Sequence, residues 1–292
     1  MDPLASSRKA DQNFNGEGII SVNLEFQLPR LAGSTYLNSA PLIWSFLHGS
    51  RRTQVQLIDA VPARCAALLA QGAVAAALVP VIEYQRTTDV LLVPDICVGS
   101  QGEVRSVVLV SLRDDLKEIR SVALDDSSRT SATLINILFR EFIGHEPVWE
   151  SYSSPDLRRT LNVNDGALII GDPAMTFNRA GLNVWDLASL WRQFTGLGFV
   201  FAMWMVRAQV RESLQAIDFS GACDEGLSQL EQIAKEYASS LSLPASELEL
   251  YLRQNISFRM DASMRAGLDL YYELAQRHKL IDAVKPLKTL EP

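Results

Sequence analysis

Short, dense apolar runs alternate with amphipathic stretches over the first third of the chain. Residues 55–58, 74–79, 90–93 and 104–112 are rich in Val, Leu and Ile, as strands covered on both faces are. Between them, residues 41–47 follow the polar pair Asn38-Ser39, and residues 62–69 open with proline in the first turn, where its missing N–H does no harm. Both predict helices. From Asn23 to Leu112 the alternation predicts a mostly parallel sheet with helices packed on its faces. A second block repeats the order: strand 121–124, helix 130–142, strand 148–152, helix 155–161, then strand 167–170 closing on Gly171-Asp172 before another helix. Residues 199–205 form a last apolar strand. Beyond it, 213–240, 245–254 and 261–280 carry apolar residues at three-and-four spacing, such as Leu227, Leu230, Ile233 and Tyr237, and predict helices that cover one lobe.

The two long apolar strands, 104–112 and 199–205, bracket the middle block. The chain is therefore expected to enter a second lobe through one and return through the other. This gives lobe 1 as residues 21–105 plus 200–292 and lobe 2 as residues 106–199, with a cleft between them. Ligands of α/β sheets lie beyond the carboxyl ends of strands and between domains, so the cleft is the expected site.

Length and composition agree with two lobes, because 292 residues with 48% apolar exceed the size at which single cores stop growing. A formal net charge of -7 repels nucleic acid and acidic membrane surfaces, and neither is expected as a partner. Cys65, Cys97 and Cys223 are odd in number and widely separated, which suits a reducing cytoplasm and offers no disulfide framework. Residues 1–18 are polar, with Arg8, Lys9, Asp11 and Glu17, and lack the apolar centre of a secretory signal. They read as part of a flexible tail over residues 1–20. No apolar run reaches the length of a membrane span.

The candidate chemistry is carried by neutral polar groups. His48, His145 and His278 have no evident catalytic partner in the sequence, and no HExxH, CxxC or GxxxxGK[ST] motif occurs. No metal or other cofactor is expected. What remains sits at strand ends and helix starts, where free backbone N–H groups and the helix dipole favour anions. Tyr36-Leu37-Asn38-Ser39-Ala40-Pro41 lies between a strand and a helix, and Asn38 is suited either to cap that helix or to face a ligand. Asp125-Asp126-Ser127-Ser128-Arg129-Thr130-Ser131 brings several hydroxyls to one helix start, more than capping needs, and so offers a carboxylate cradle. Ser106 stands near the start of the first crossing strand. Asp172 ends a buried strand and serves equally as a helix cap or a cleft group. Tyr84 can bring its ring and hydroxyl to the cleft wall or be a half-buried structural tyrosine.

In order along the chain, Tyr36-Leu37-Asn38-Ser39-Ala40-Pro41, Leu78-Val79-Pro80-Val81-Ile82-Glu83-Tyr84, Ser106-Val107-Val108-Leu109, Leu124 through Ser131, Leu168-Ile169-Ile170-Gly171-Asp172 and Trp191-Arg192-Gln193-Phe194-Thr195-Gly196-Leu197 through Trp204 resemble the menaquinone-biosynthetic chorismate dehydratases of the futalosine pathway. The resemblance spans residues 21–280 and implies an α/β, two-lobed fold like the type II periplasmic binding proteins, with two crossover strands. It also implies cofactor-independent loss of water from chorismate, giving 3-[(1-carboxyvinyl)oxy]benzoate. The family's loop asparagine falls on Asn38, its cleft serine on Ser106, and its helix-start threonine and serine on Thr130 and Ser131. Tyr36, Ser39, Tyr84, Val107, Ser128 and Asp172 complete the expected substrate contacts. Gly198 stands where the family pattern leads one to expect proline, a departure that is expected to loosen the second crossing. Two other readings stay open: the sister 1,4-dihydroxy-6-naphthoate synthase, which needs a base such as histidine in the cleft, and a small-carboxylate binding protein without turnover.

Overall fold

The computed structural model describes residues 28–125, 127–152 and 156–290. The expected tail, Asp126 and Pro155, the expected start of the helix 155–161, lie outside the described residues. Among the described residues, eleven strands form two sheets. They are β1 (Arg30–Gly33), β2 (Gln56–Asp59), β3 (Ala76–Pro80), β4 (Val90–Ser100), β5 (Val107–Ser111), β6 (Ser121–Asp125), β7 (Val148–Tyr152), β8 (Gly166–Ile170), β9 (Asn183–Asp186), β10 (Phe199–Arg207) and β11 (Ser257–Arg259). The six-stranded sheet has the order β11-β4-β10-β3-β1-β2, and the five-stranded sheet the order β7-β6-β8-β5-β9.

The sheets are mixed, not mostly parallel. Strand β1 runs parallel to β2 and β3, and β6 to β7 and β8. Strand β10 runs antiparallel to β3 and β4, and β5 to β8 and β9. Strand β10 returns to the first sheet after the chain has passed through the second, so no single helical crossover forces it parallel to β3 or β4. Hydropathy reports that β3, β5 and β8 are buried along their whole length; it does not report direction. In β5 the side chains alternate: Val107 and Leu109 join the main core, while Val108 and Val110 join a smaller cluster with Ala167 and Ile169 on the opposite face.

Three boundaries differ from the sequence reading for local reasons. Strand β4 continues past Val93 through Pro94-Asp95, where Asp95 has φ 59 and the pairing with β10 shifts register, as at a β-bulge. The single helix expected over 213–240 is three, Arg211–Leu214, Phe219–Ser228 and Leu230–Leu241. Asp218 starts the second by accepting the Gly221 N–H at 2.7 Å. The helix expected over 130–142 is α-helical from Arg129 to Ile137, then widens into a π-helical stretch, Leu138–Ile143, closed by Gly144 at φ 86.

The crossings are short. Residues 101–106 lead from β4 to β5, and Gly196-Leu197-Gly198 leads from the helix Leu187–Thr195 back to β10. At the first, Asp186 accepts the N–H groups of Val104 and Arg105 at 3.0 and 2.6 Å while capping the helix Leu187–Thr195 through the Ser189 N–H at 2.9 Å. At the second, Gly198 tightens the crossing instead of loosening it. Its N–H donates to Ser263 Oγ at 3.0 Å, a bond proline has no donor to make, and its carbonyl accepts from Trp191 Nε1 at 3.2 Å. Among the described residues no helix is long and apolar enough to cross a membrane.

The helix Ala262–Arg277 rests backbone against backbone on this return turn, since a Cβ at Gly267 would stand 2.0 Å from the Gly198 carbonyl oxygen. Gly267→Ala is therefore expected to destabilise the protein by about 2 kcal/mol through overpacking. Urea unfolding measures it, and an unchanged midpoint would show that the turn and helix are not in such close contact.

Candidate active site

The turn after β1 is held from below by Asp59, which accepts the Thr35 N–H at 3.1 Å and the Thr35 hydroxyl at 3.0 Å. The helix Ala40–Leu47 that follows starts without a side-chain cap. The Asn38 amide is therefore not a cap. Its Nδ2 donates to Ser106 Oγ at 3.4 Å, and its Oδ1 accepts from the Ser39 hydroxyl at 3.1 Å. Asn38 and Ser106 come from different sheets, and this bond crosses between them.

Opposite this turn lies the start of the helix Arg129–Ile137, again without a side-chain cap at Ser128. Its exposed backbone N–H groups and the positive end of its dipole point at the space between the sheets. Ser128, Thr130 and Ser131 are buried there. Thr130 Oγ1 accepts the Ile82 N–H at 3.3 Å, and its carbonyl accepts the Tyr271 hydroxyl at 3.1 Å. Since a hydroxyl has one donor and two acceptor positions, Thr130 keeps its proton to give. Ser127 is held by Asp125, which accepts both its N–H, at 2.7 Å, and its hydroxyl.

Between the two turns is a narrow hollow with about 60 Å³ of water-accessible space. Tyr36, Asn38, Ser39, Val107, Ser128, Thr130 and Ser131 line it, with Pro62, Pro80, Val98, Phe201 and Ala202 as the apolar wall on the first sheet's side and Ile170-Gly171 at the end of β8. Tyr36 spans the gap. Gly171, at φ 64, lets the ring lie directly on its backbone, because a Cβ there would stand 2.7 Å from the ring. Burial and the carboxylates of Asp125 and Asp172 raise the Tyr36 phenol, while the Ser127 hydroxyl acts in the opposite sense.

Two sequence-predicted residues, Ser106 and Tyr84, are placed differently from expectation, and for Asp172 the structure separates the two roles that the sequence left open. Ser106 is 1% exposed and sits behind Asn38, one residue before β5, its carbonyl accepting the Gly171 N–H at 2.8 Å. It touches the hollow through the Asn38 amide rather than as part of the wall. Asp172 does not cap the helix Asp172–Thr176, whose N-cap is Gly171. Its Oδ1 accepts the Leu37 N–H at 2.9 Å across the cleft, and burial pushes its carboxyl up to about 6. Tyr84 is away from the hollow: its hydroxyl donates to the Pro286 carbonyl at 2.7 Å and accepts the Lys288 N–H at 2.8 Å. The short helix Glu83–Arg86 turns that ring towards the C-terminal strap, which the hydroxyl then holds.

The sequence reading missed Arg129 as a contact, although it lies within the hydroxyl-rich string. It lines the hollow and reaches Glu83 Oε2 on the other sheet's side at 2.7 Å, where Arg86 also binds Glu83 at 3.2 Å. Each of the three histidines is engaged elsewhere. His48 packs on Trp44, His145 Nε2 meets the Ile119 carbonyl at 2.8 Å, and His278 Nε2 meets Glu141 at 2.8 Å. Among the described residues no three His, Cys, Asp or Glu side chains gather as metal ligands.

The fold is that of the periplasmic binding proteins. A solved protein of Archaeoglobus fulgidus superposes with a TM-score of 0.69 at 16% identity, covering 87% of this chain and 98% of that one. The periplasmic aliphatic sulphonate binding protein of Escherichia coli gives 0.58 at 17% identity, covering 91% and 94%. In sequence, the chain is 32% identical over 259 residues to a chorismate dehydratase of Thermus thermophilus, covering 82% of this chain and 92% of that relative. The family model described as menaquinone biosynthesis matches residues 29–277. With a match of that length on the fold and hollow described above, the chain belongs to the menaquinone biosynthesis family.

Proposed function

We propose that the protein is a chorismate dehydratase, converting chorismate to 3-[(1-carboxyvinyl)oxy]benzoate and water without a cofactor, in the cytoplasm, as a step of menaquinone biosynthesis. The observation that carries this reading is the meeting of Asn38 and the Thr130-Ser131 helix start on one hollow, with Ser106, from a third part of the chain, bonded to Asn38 from behind. That arrangement suits the reaction. Loss of water turns a cyclohexadienol into a benzene ring, so aromatisation drives it, and the site has mainly to orient a dianion and let one proton leave carbon. Lobe 1, residues 21–105 plus 200–292, and lobe 2, residues 106–199, close over the substrate and exclude water.

In this reading the helix start at Thr130 and Ser131 holds one carboxylate, with backbone N–H groups and hydroxyls as donors. Asn38 and Ser106 orient the second carboxylate and the departing hydroxyl, while Tyr36, Ser39, Val107 and Ser128 shape the pocket. The proton passes from ring carbon to the substrate's own enolpyruvyl carboxylate, the C–H pair becomes the new ring double bond, and the hydroxyl leaves with its bonding pair and takes up that proton as water. Asp172 is the other candidate acceptor. The sister dihydroxynaphthoate synthase reading would need a cleft base, and none of the three histidines lines the hollow. A binding protein without turnover is separated by mixing the purified chain with chorismate and following the benzoate chromophore.

Asn38→Ala and Ser106→Ala are each expected to lower kcat/KM by about 10- to 100-fold, as loss of a preorganised donor does. Parental activity in both would overturn the assignment. Asp172 gives a second test, on pH. Its folded carboxyl titrates near 6, above its ordinary 3.8, so the folded state holds the proton more tightly than the unfolded chain. The stability this contributes is full below pH 4 and is lost as pH rises through 6. Asp172→Asn, which keeps an oxygen for the Leu37 N–H, is expected to raise the thermal midpoint at pH 7.5 relative to the parent and to remove that pH-dependent fall. Its activity is expected to stay within about tenfold of the parent, whereas a loss of ~10²-fold or more is what removal of a general base produces and would give that role to Asp172.

A further inference from the structure

The hydroxyl of Tyr251 has no evident structural use. The side chain, on the helix Ala245–Gln254, is 0% exposed, and its oxygen has no hydrogen-bond partner within bonding geometry among the described residues. A buried hydroxyl left in that state is destabilising, and replacing it with hydrogen would relieve the penalty. Burial pushes the phenol up, and the Ser106 hydroxyl acts in the opposite sense while lying outside bonding geometry. The helix is fastened to the same point of the chain. Glu247, one turn before Tyr251, pairs with Arg105 at 2.6 Å, and the Arg105 guanidinium lies 6.0 Å from the centre of the Tyr251 ring. Arg105 itself is in the left-handed region at φ 60, held there by the bond from its N–H to Asp186. These contacts fix the backbone just before Ser106 and place a phenol behind its hydroxyl.

We propose that Tyr251 is a positioning residue that sets the direction of the Ser106 O–H in the dehydratase site. A serine hydroxyl rotates freely and offers one proton and two lone pairs. Asn38 Nδ2 donates to one lone pair. When ligand draws the site together, a donating Tyr251 hydroxyl takes the other, since catalytic hydrogen bonds tighten in the substrate complex. With both lone pairs filled, Ser106 can act only as a donor, and its proton is available to a ligand group that reaches past the Asn38 amide. Without the phenol oxygen the rotor is free to accept instead of donate. The proposal rests on the assignment of Ser106 to the site made above.

The test is a cycle of Tyr251→Phe, Ser106→Ala and the double variant in the chorismate assay, with thermal midpoints and titration by the product. Tyr251→Phe is expected to lower kcat about tenfold, the worth of one neutral hydrogen bond, with KM within about twofold of the parent because the ground-state contacts persist. Its midpoint is expected to be unchanged or raised and product affinity retained, which a folding defect would not give. In the Ser106→Ala background the same change is expected to have no further effect on kcat. Parental kcat in Tyr251→Phe beside an impaired Ser106→Ala would overturn the proposal alone, as would full additivity in the double variant. Parental kcat in Ser106→Ala would instead remove the site assignment on which it stands.

Discussion

One half-buried carboxylate fixes the geometry on which the site depends. Asp186 ends an edge strand of the second sheet and accepts three backbone N–H groups, two from the crossing at Val104-Arg105 and one from the helix it caps. Burial lifts its carboxyl above the ordinary range, and those three donors act against the lift. A charge held in this way is costly to misplace, because a half-buried carboxylate needs its donors. The crossing therefore has one conformation, including the left-handed backbone of Arg105. Ser106, the next residue, is presented to Asn38 from a fixed point rather than from a loose hinge.

The rest of the cleft is joined by a small set of polar contacts between the sheets. Leu37 donates to Asp172, Asn38 to Ser106, Ile82 to Thr130 and Arg129 to Glu83. They lie beside an apolar core that is continuous from one sheet to the other, and polar contacts of this kind add only modestly to it. Pro62, Pro80, Val98 and Phe201 give the hollow an apolar side, and its donors lie apart from them on the two turns.

The strand and helix pattern is legible in the sequence wherever an element is wholly buried or strongly amphipathic. Strands β3, β5 and β8 are continuous apolar runs, and the helix Ala245–Gln254 has the ends its periodicity predicts. Strands β9 and β11 are not foreseen, because short, partly exposed edge strands carry no apolar run. Of the site, Asn38, Thr130 and Ser131 are visible because uncapped turns rich in donors have a chemical signature. Tyr84 is misplaced, since an aromatic residue beside a site motif looks the same whether its ring faces the cleft or the C-terminal strap. Arg129 and Tyr251 are not visible, because their meaning lies in Glu83 and Ser106, distant in sequence.

By itself the amino-acid sequence determined the class of element at most positions, the family, and the hydroxyl-rich character of the turns that line the hollow, because each is written in local composition and order. Tertiary structure alone decided strand direction, the tightening role of Gly198, the retreat of Ser106 behind Asn38 and the raised carboxyl of Asp172. The physical reason is common to all four. Hydrogen-bond partners and desolvation are properties of what surrounds a group in space, and here those surroundings come from the opposite sheet or from helices far along the chain.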